Sequence, residues 1–169
     1  MGVNRQRPLW APWRIKFITS EKTDKCFLCG KQKCFDSEDE DMVIARGKNV
    51  FAILNRYPYN SGHVMIAPYA HVKDLPLLEK KVVHELMDMT VKAEKTMLRS
   101  MRPQGFNIGF NIGAASGAGL EEHIHLHIVP RWGGDTNFMP VLSDTRVVPQ
   151  SLAETASFLR AEWKKGLGK

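Results

Sequence analysis

"GLEEHIHLHIVPRW", Gly119 to Trp132, carries half of the chain's six histidines at every second position. Successive side chains of a β-strand point to opposite faces, so the spacing predicts a strand that aims His123, His125 and His127 one way and turns Ile124, Leu126 and Ile128 into a core. Six histidines scattered over 169 positions would give such a triplet in roughly one chain in a hundred. An accident of composition is therefore disfavoured, and two chemical readings are open. Three imidazoles on alternate strand positions can converge on one metal ion. Alternatively, one neutral imidazole acts as a nucleophile toward phosphorus while its neighbours orient it and donate hydrogen bonds to phosphate oxygens.

The surrounding chain bounds these readings. With 169 residues, 43% of them hydrophobic, one domain with its own core is expected, carrying a short arm: residues 1–42 as the arm and 43–169 as a single globular unit. The apolar runs are too short for a membrane span, and the start "MGVNRQRPLW" lacks an apolar signal region, so a cytoplasmic protein is expected. Three cysteines, an odd number, imply no disulfide framework and agree with a reducing compartment. A formal charge of +6 suggests an anionic partner.

Periodicity then gives the elements. "RPLWAPWRIKFI" spaces Leu9, Trp13 and Phe17 four apart and predicts a short helix with Pro12 near its start, whereas "DSEDEDMV" at 36–43 reads as a solvated loop. "MVIAR", "NVFAILN" and "GHVMIAP" are β-rich runs separated by Gly47-Lys48 and by "RYPYNSG" at 56–62, which predicts neighbouring antiparallel strands. Apolar residues between Pro76 and Met101 recur at helical spacing and stop before Pro103, predicting one long helix. "GFNIGFNIG" and "HIHLHIV" add two alternating runs, and "PQSLAETASFLRAEWKKG" closes the chain as an amphipathic helix entered at Pro149 and left at Gly166. The expected fold class is α+β, a sheet of about five mostly antiparallel strands with one long helix and a C-terminal helix.

Two further stretches carry chemistry. "NIGAASGAGLEEH" places amides and a Gly/Ser-rich loop just before the triad, where small residues let backbone N–H groups approach a phosphate; Asn111 and Ser116 are the candidates, and an ordinary inter-strand turn is the alternative. "CFLC" gives Cys26 and Cys29 the two-residue spacing of paired metal thiolates, unless both are simply reduced thiols. Trp132 either stacks on a base or packs in the core, with Gly133 and Gly134 turning the chain beside it. Arg56 and Arg131 are candidates for steering a polyphosphate, and free packing is expected for Cys34.

"HIHLHIV" followed by Pro130 and Arg131 resembles the motif of the histidine-triad (HIT) superfamily of nucleotidyl hydrolases and transferases, and "LNRYPYNSGHVMIAPYAHVKDL" at 54–75 resembles that family's strand-turn-strand element. Together the matches run from about Val43 to Arg131. "WAPWR" and "PRWGGDTNFMPVL" look most like the bacterial branch related to diadenosine tetraphosphate phosphorylases and hydrolases. The resemblance implies a HIT-like fold and an enzyme acting on dinucleoside polyphosphates, with His125 as the nucleophile that becomes nucleotidyl-histidine. His127 would then bond phosphate oxygens, and His63 would partner the triad. It also implies that Asn55 holds ribose hydroxyls, with Phe51 and Leu54 near the wall of the base site. By similarity to zinc-binding members of the wider superfamily, which extends to galactose-1-phosphate uridylyltransferases, His71 and His123 would complete a structural zinc site with Cys26 and Cys29; no organic cofactor is implied. The proton on the other nitrogen of His125 would be held by a backbone carbonyl of the Gly-rich loop. The expected partners are a nucleotide substrate and a second copy of the chain, docked through the helix from Pro76; neither a membrane nor a nucleic acid is expected. A nucleoside phosphoramidase and a zinc-stapled nucleotide-binding protein without turnover are the alternatives, and water or phosphate as acceptor is undecided.

Overall fold

A computed structural model describes residues 26–29, 42–135 and 150–166. The predicted arm helix, the acidic loop up to Asp41, Cys34 and Pro149 lie outside these residues. Five strands, β1 (Val43–Arg46), β2 (Val50–Leu54), β3 (Val64–Pro68), β4 (Gly105–Phe110) and β5 (Leu126–Arg131), form one sheet in the order β1-β2-β3-β5-β4. Every pairing is antiparallel. The central strands β2 and β3 are buried along their whole length, which is why their sequences run nearly continuously apolar instead of alternating.

Two helices, α1 (Lys80–Met101) and α2 (Leu152–Lys165), cover one face of the sheet. Val50, Ala52 and Leu54 of β2, Val64 and Ile66 of β3, and Leu126 and Ile128 of β5 point toward them, meeting Val82, Leu86, Met89, Ala93 and Met97 of α1 and Leu159 and Trp163 of α2. The opposite face carries a smaller cluster of Leu28, Val43, Phe51, Ile53, Met65 and Ala67. His127 stands opposite Met65 in the register, and so belongs to this second face. The sheet thus separates a packed scaffold from the surface on which the histidines gather.

Three boundaries differ from the sequence reading. The long helix starts at Lys80 instead of Pro76, because Leu75–Leu77 form a 3-10 turn and Leu78 and Glu79 are extended. Proline sits comfortably in that first tight turn but does not carry the chain into the helix axis. Strand β5 opens at Leu126, so His123 and His125 precede its ladder. At the end of α2, Gly166 has φ −79°, a right-handed conformation that places no demand on glycine. The start of that helix is set by a capping box, in which the Ser151 hydroxyl accepts from the Glu154 N–H and the Glu154 carboxylate accepts from the Ser151 N–H.

Candidate active site and metal-ligand cluster

Hydrogen bonding assigns the imidazole tautomers one after another. His63 is fully buried, and its Nδ1 accepts from the Tyr59 backbone N–H at 3.0 Å, with the Asn55 amide at 3.2 Å. That nitrogen carries a lone pair, so the ring proton is on Nε2, 2.9 Å from His127 Nδ1. His127 accepts there, which leaves its own proton on Nε2; that nitrogen lies 3.5 Å from Asn111 Nδ2, so the two face each other donor to donor until the carboxamide turns its oxygen inward. A chain of single donors therefore runs from the Tyr59 amide through two rings and ends as an N–H directed outward. The Tyr59 ring covers both, with centroids 4.8 Å from His63 and 5.9 Å from His127.

His125 is oriented by a different device. Its Nδ1–H donates to the backbone carbonyl of His123 at 2.8 Å, so Nε2 keeps a lone pair. The carbonyl that holds this proton is not one of the Gly-rich loop, as expected, but that of His123, two residues back in the segment leading into β5. Burial lowers the basicity of His125, opposed by that same hydrogen bond. An unprotonated nitrogen is consequently available at neutral pH.

His63 is held neutral more strongly: burial, and then the proximity of His127 and His125, push it down to about 3. Unfolding exposes a histidine that protonates near pH 6.5, so between about pH 6.5 and 3 the unfolded chain binds the extra proton and stability falls as pH falls. From pH 7 to pH 5 this one group is expected to remove about 2 kcal/mol. Urea unfolding of the wild type and of His63→Gln at the two pH values checks it; equal losses of stability in both proteins would refute the assignment.

The first histidine of the triplet faces elsewhere. His123 is fully buried and its Nε2–H donates to the Pro68 carbonyl at 2.8 Å, which turns the Nδ1 lone pair toward Cys26 Sγ at 3.3 Å and Cys29 Sγ at 3.5 Å. His71 Nδ1 lies 3.1 Å from Cys29 Sγ. The four donor atoms all fall within 4.8 Å of one another. A tetrahedral zinc ion with two sulfur and two nitrogen ligands has S···N edges of about 3.5 Å, so the donor set fits zinc in chemistry, and these three S···N separations match it in spacing. Burial, together with the Cys26 thiol beside it, pushes the Cys29 thiol up to about 11; a cation between the sulfurs removes that penalty. Leu28, between the two cysteines, is fully buried in the second cluster and anchors the segment to the sheet.

The remaining candidates divide. Asn55 stands beside His63, and its carboxamide oxygen also accepts from the Tyr57 N–H at 2.9 Å. Asn111 reaches His127, whereas Ser116 is exposed and donates to the Gly113 carbonyl within its own loop. Phe51 lies on the histidine face but is fully buried and stacked on Tyr69 at 5.2 Å. Leu54 is turned to the helix face, as strand alternation demands three residues after Phe51. Trp132 directs its indole N–H to the Met101 carbonyl at 3.4 Å, at the end of α1, which is the packing role. Arg131 is engaged by Asp135 and Asn107. The sequence reading missed Tyr59, Asn60 and Asp135; the bond that sets the His63 tautomer comes from the Tyr59 backbone amide, for which no side-chain signal exists.

Comparison with known proteins agrees with this geometry. A HIT domain model matches residues 36–134. A Mycobacterium tuberculosis protein named AP-4-A phosphorylase is 41% identical over 164 residues, covering 93% of this chain and 84% of that protein. Among solved structures, a Zn-bound histidine triad family protein from Mycobacterium smegmatis aligns with a TM-score of 0.66 at 25% identity, over 83% of this chain and 94% of that one. A hypothetical histidine triad nucleotide-binding protein from Sulfolobus tokodaii shares the fold with a TM-score of 0.65 at 21% identity, over 83% and 93% of the two chains. The matched span contains His63 and all three histidines of the strand motif, and by that match the chain belongs to the HIT domain family.

Proposed function

We propose that the protein is a HIT-type enzyme that cleaves dinucleoside polyphosphates, with diadenosine tetraphosphate as the substrate to test first, through a covalent nucleotidyl-His125. The observation that carries this reading is the pair of fixed tautomers: His125 presents a lone pair on Nε2 while His127, next to it at a ring-centroid distance of 4.8 Å, presents an N–H. A nucleophile and a donor for the phosphate oxygen it charges are thus side by side.

His125 Nε2 attacks the α-phosphorus, the N–P bond forms, and the bond to the polyphosphate oxygen breaks, releasing ATP. An oxygen nucleophile then attacks the same phosphorus and the N–P bond breaks, restoring neutral His125. Phosphate as that nucleophile yields ADP, and water yields AMP. The 41% identical relative is named AP-4-A phosphorylase, which favours phosphate. His127 and Asn111 stabilise the non-bridging oxygens, Asn55 holds the ribose at the end of β2, and Ser116 belongs to the loop that meets the polyphosphate. Cys26, Cys29, His71 and His123 hold a structural zinc ion, whose contribution is to cross-link the segment before β1 to the start of the triad.

The deciding experiment incubates the purified protein with diadenosine tetraphosphate, with and without inorganic phosphate. ADP and ATP are expected, with ADP appearing only when phosphate is present. AMP in place of ADP reassigns the acceptor to water, and no turnover under either condition rejects the enzyme reading. A homodimer belongs to the same proposal: Met87, Val91 and Leu98 are 45–46% exposed along α1, an apolar stripe suited to an isologous contact. A monomeric mass by sedimentation at micromolar concentration would reject it.

A further inference from the structure

The turn that carries His63 is tied to the end of β5 by a carboxylate. Asp135 Oδ2 accepts from Asn60 Nδ2 at 2.9 Å and from Arg131 Nε at 2.6 Å, and Oδ1 accepts from Arg131 Nη2 at 3.0 Å. The Trp132 amide adds a bond of 3.3 Å. Arg131 itself is 45% exposed and the Asp135 side chain only 8%, so the carboxylate is buried while its guanidinium partner stays in contact with water. Arg131 extends the tie to β4, donating from Nη1 to Asn107 Oδ1 at 2.8 Å.

Asn60 is the joint between this carboxylate and the histidines. Its amide also donates to the Pro130 carbonyl at 3.0 Å, and its own carbonyl accepts the His63 N–H at 3.2 Å. Beside it, Gly62 has φ +75°, and a Cβ there would lie 2.8 Å from the Met101 side chain and 3.4 Å from Pro130. The turn is therefore pressed against β5 and α1 with little room to slide. His63 and His127 are thus brought to 2.9 Å by contacts made at the two ends of a clamp, Asn60 on one side and Pro130 with Asp135 on the other.

We propose that Asp135 is a positioning residue: through Asn60 it holds the turn that sets His63 against His127, and so determines which nitrogen of His127 carries the proton offered to substrate. Its catalytic consequence rests on the nucleotidyl-transfer reading; its structural consequence does not. A hydrogen bond between two imidazoles weakens steeply as the rings separate or tilt. Once the turn drifts, nothing on the His63 side keeps His127 Nδ1 an acceptor. The ring then populates the tautomer with the proton on Nδ1, and Nε2 meets a phosphate oxygen lone pair to lone pair.

Asp135→Asn and Asn60→Ala test this, the first removing the charge at constant shape and the second removing the joint. Imidazole nitrogen NMR of the free protein is expected to show His127 changing from a single tautomer to a mixture in both variants. Turnover of diadenosine tetraphosphate is expected to fall roughly 10- to 100-fold in kcat, as for small misplacements at other active sites, with KM within about threefold. In a His63→Ala background the same substitutions are expected to add nothing further. An unchanged His127 tautomer in both variants overturns the proposal. So does an equal loss of kcat with and without His63, the signature of a merely structural defect. If the wild type lacks turnover, the enzyme reading fails, and the tautomer spectrum still decides the clamp.

Discussion

Asparagine at position 125 is expected to lower turnover of diadenosine tetraphosphate by roughly four to six orders of magnitude, the range found when a covalent nucleophile is removed from an otherwise intact site. The carboxamide nearly fills the space of the imidazole, so the sheet and the His63–His127 pair should stand, and nucleotide affinity should change by no more than about threefold. The reason for so large a loss lies in how His125 is held. Its Nδ1–H is anchored on the His123 carbonyl and its ring is almost fully buried, so the proposed nucleophile is desolvated and aimed before substrate arrives; nothing on the asparagine side chain is nucleophilic toward phosphorus. His125→Gly opens a cavity at the same place, and added imidazole is expected to restore part of the turnover. Steady-state rates together with rapid-quench trapping of a nucleotide on His125 check the claim. Near-wild-type turnover by the asparagine variant, or the absence of any adduct in the wild type, would sink the covalent route.

Strand parity made much of this site legible in the chain. The period of two in "HIHLHIV" set Leu126 and Ile128 into the core opposite the histidines, and the nearly continuous apolar runs of β2 and β3 marked central strands. Cys26, Cys29, His71 and His123 were expected to converge, and their donor atoms do so. What parity did not reveal was which partner each ring meets. His125 is held by a backbone carbonyl, as is His123, and every residue type offers that group. Leu54 and Phe51 are both expected near the wall of a base site, yet three residues of strand place them on opposite faces. Asp135 and Asn60 lie 75 residues apart, in two separate stretches whose spacing says nothing about each other, so only the folded backbone brings them together. Local spacing therefore announced the chemistry, while long-range hydrogen bonds determined its orientation.

Purified protein is expected to carry about one zinc per chain, and stripping it, or replacing Cys26 and Cys29 with serine, is expected to lower the thermal midpoint by roughly 8–16 °C. The size follows from the loops the cluster closes. Cys29 and His71 are 42 residues apart and Cys26 and His123 are 97 apart; cross-linking a loop of the shorter length restricts the unfolded chain by about 4 kcal/mol on the chain-entropy scale developed for disulfides. A domain of this size shifts its midpoint by about 2–4 °C for each kcal/mol. Leu28 packs between the cysteines into the cluster on the sheet, so without the metal the segment should stay docked at low temperature and detach on heating, well before the sheet melts in the loaded protein. Turnover should fall as well, because His123 is both a donor of the cluster and the owner of the carbonyl that holds His125 Nδ1–H; freeing its ring would loosen the segment that aims the proposed nucleophile. Elemental analysis and calorimetry with and without a chelator test both parts. A chelated protein that melts at the midpoint of the loaded one would show that hydrophobic packing of Leu28 alone closes this clip and that the four donors bind no structural ion.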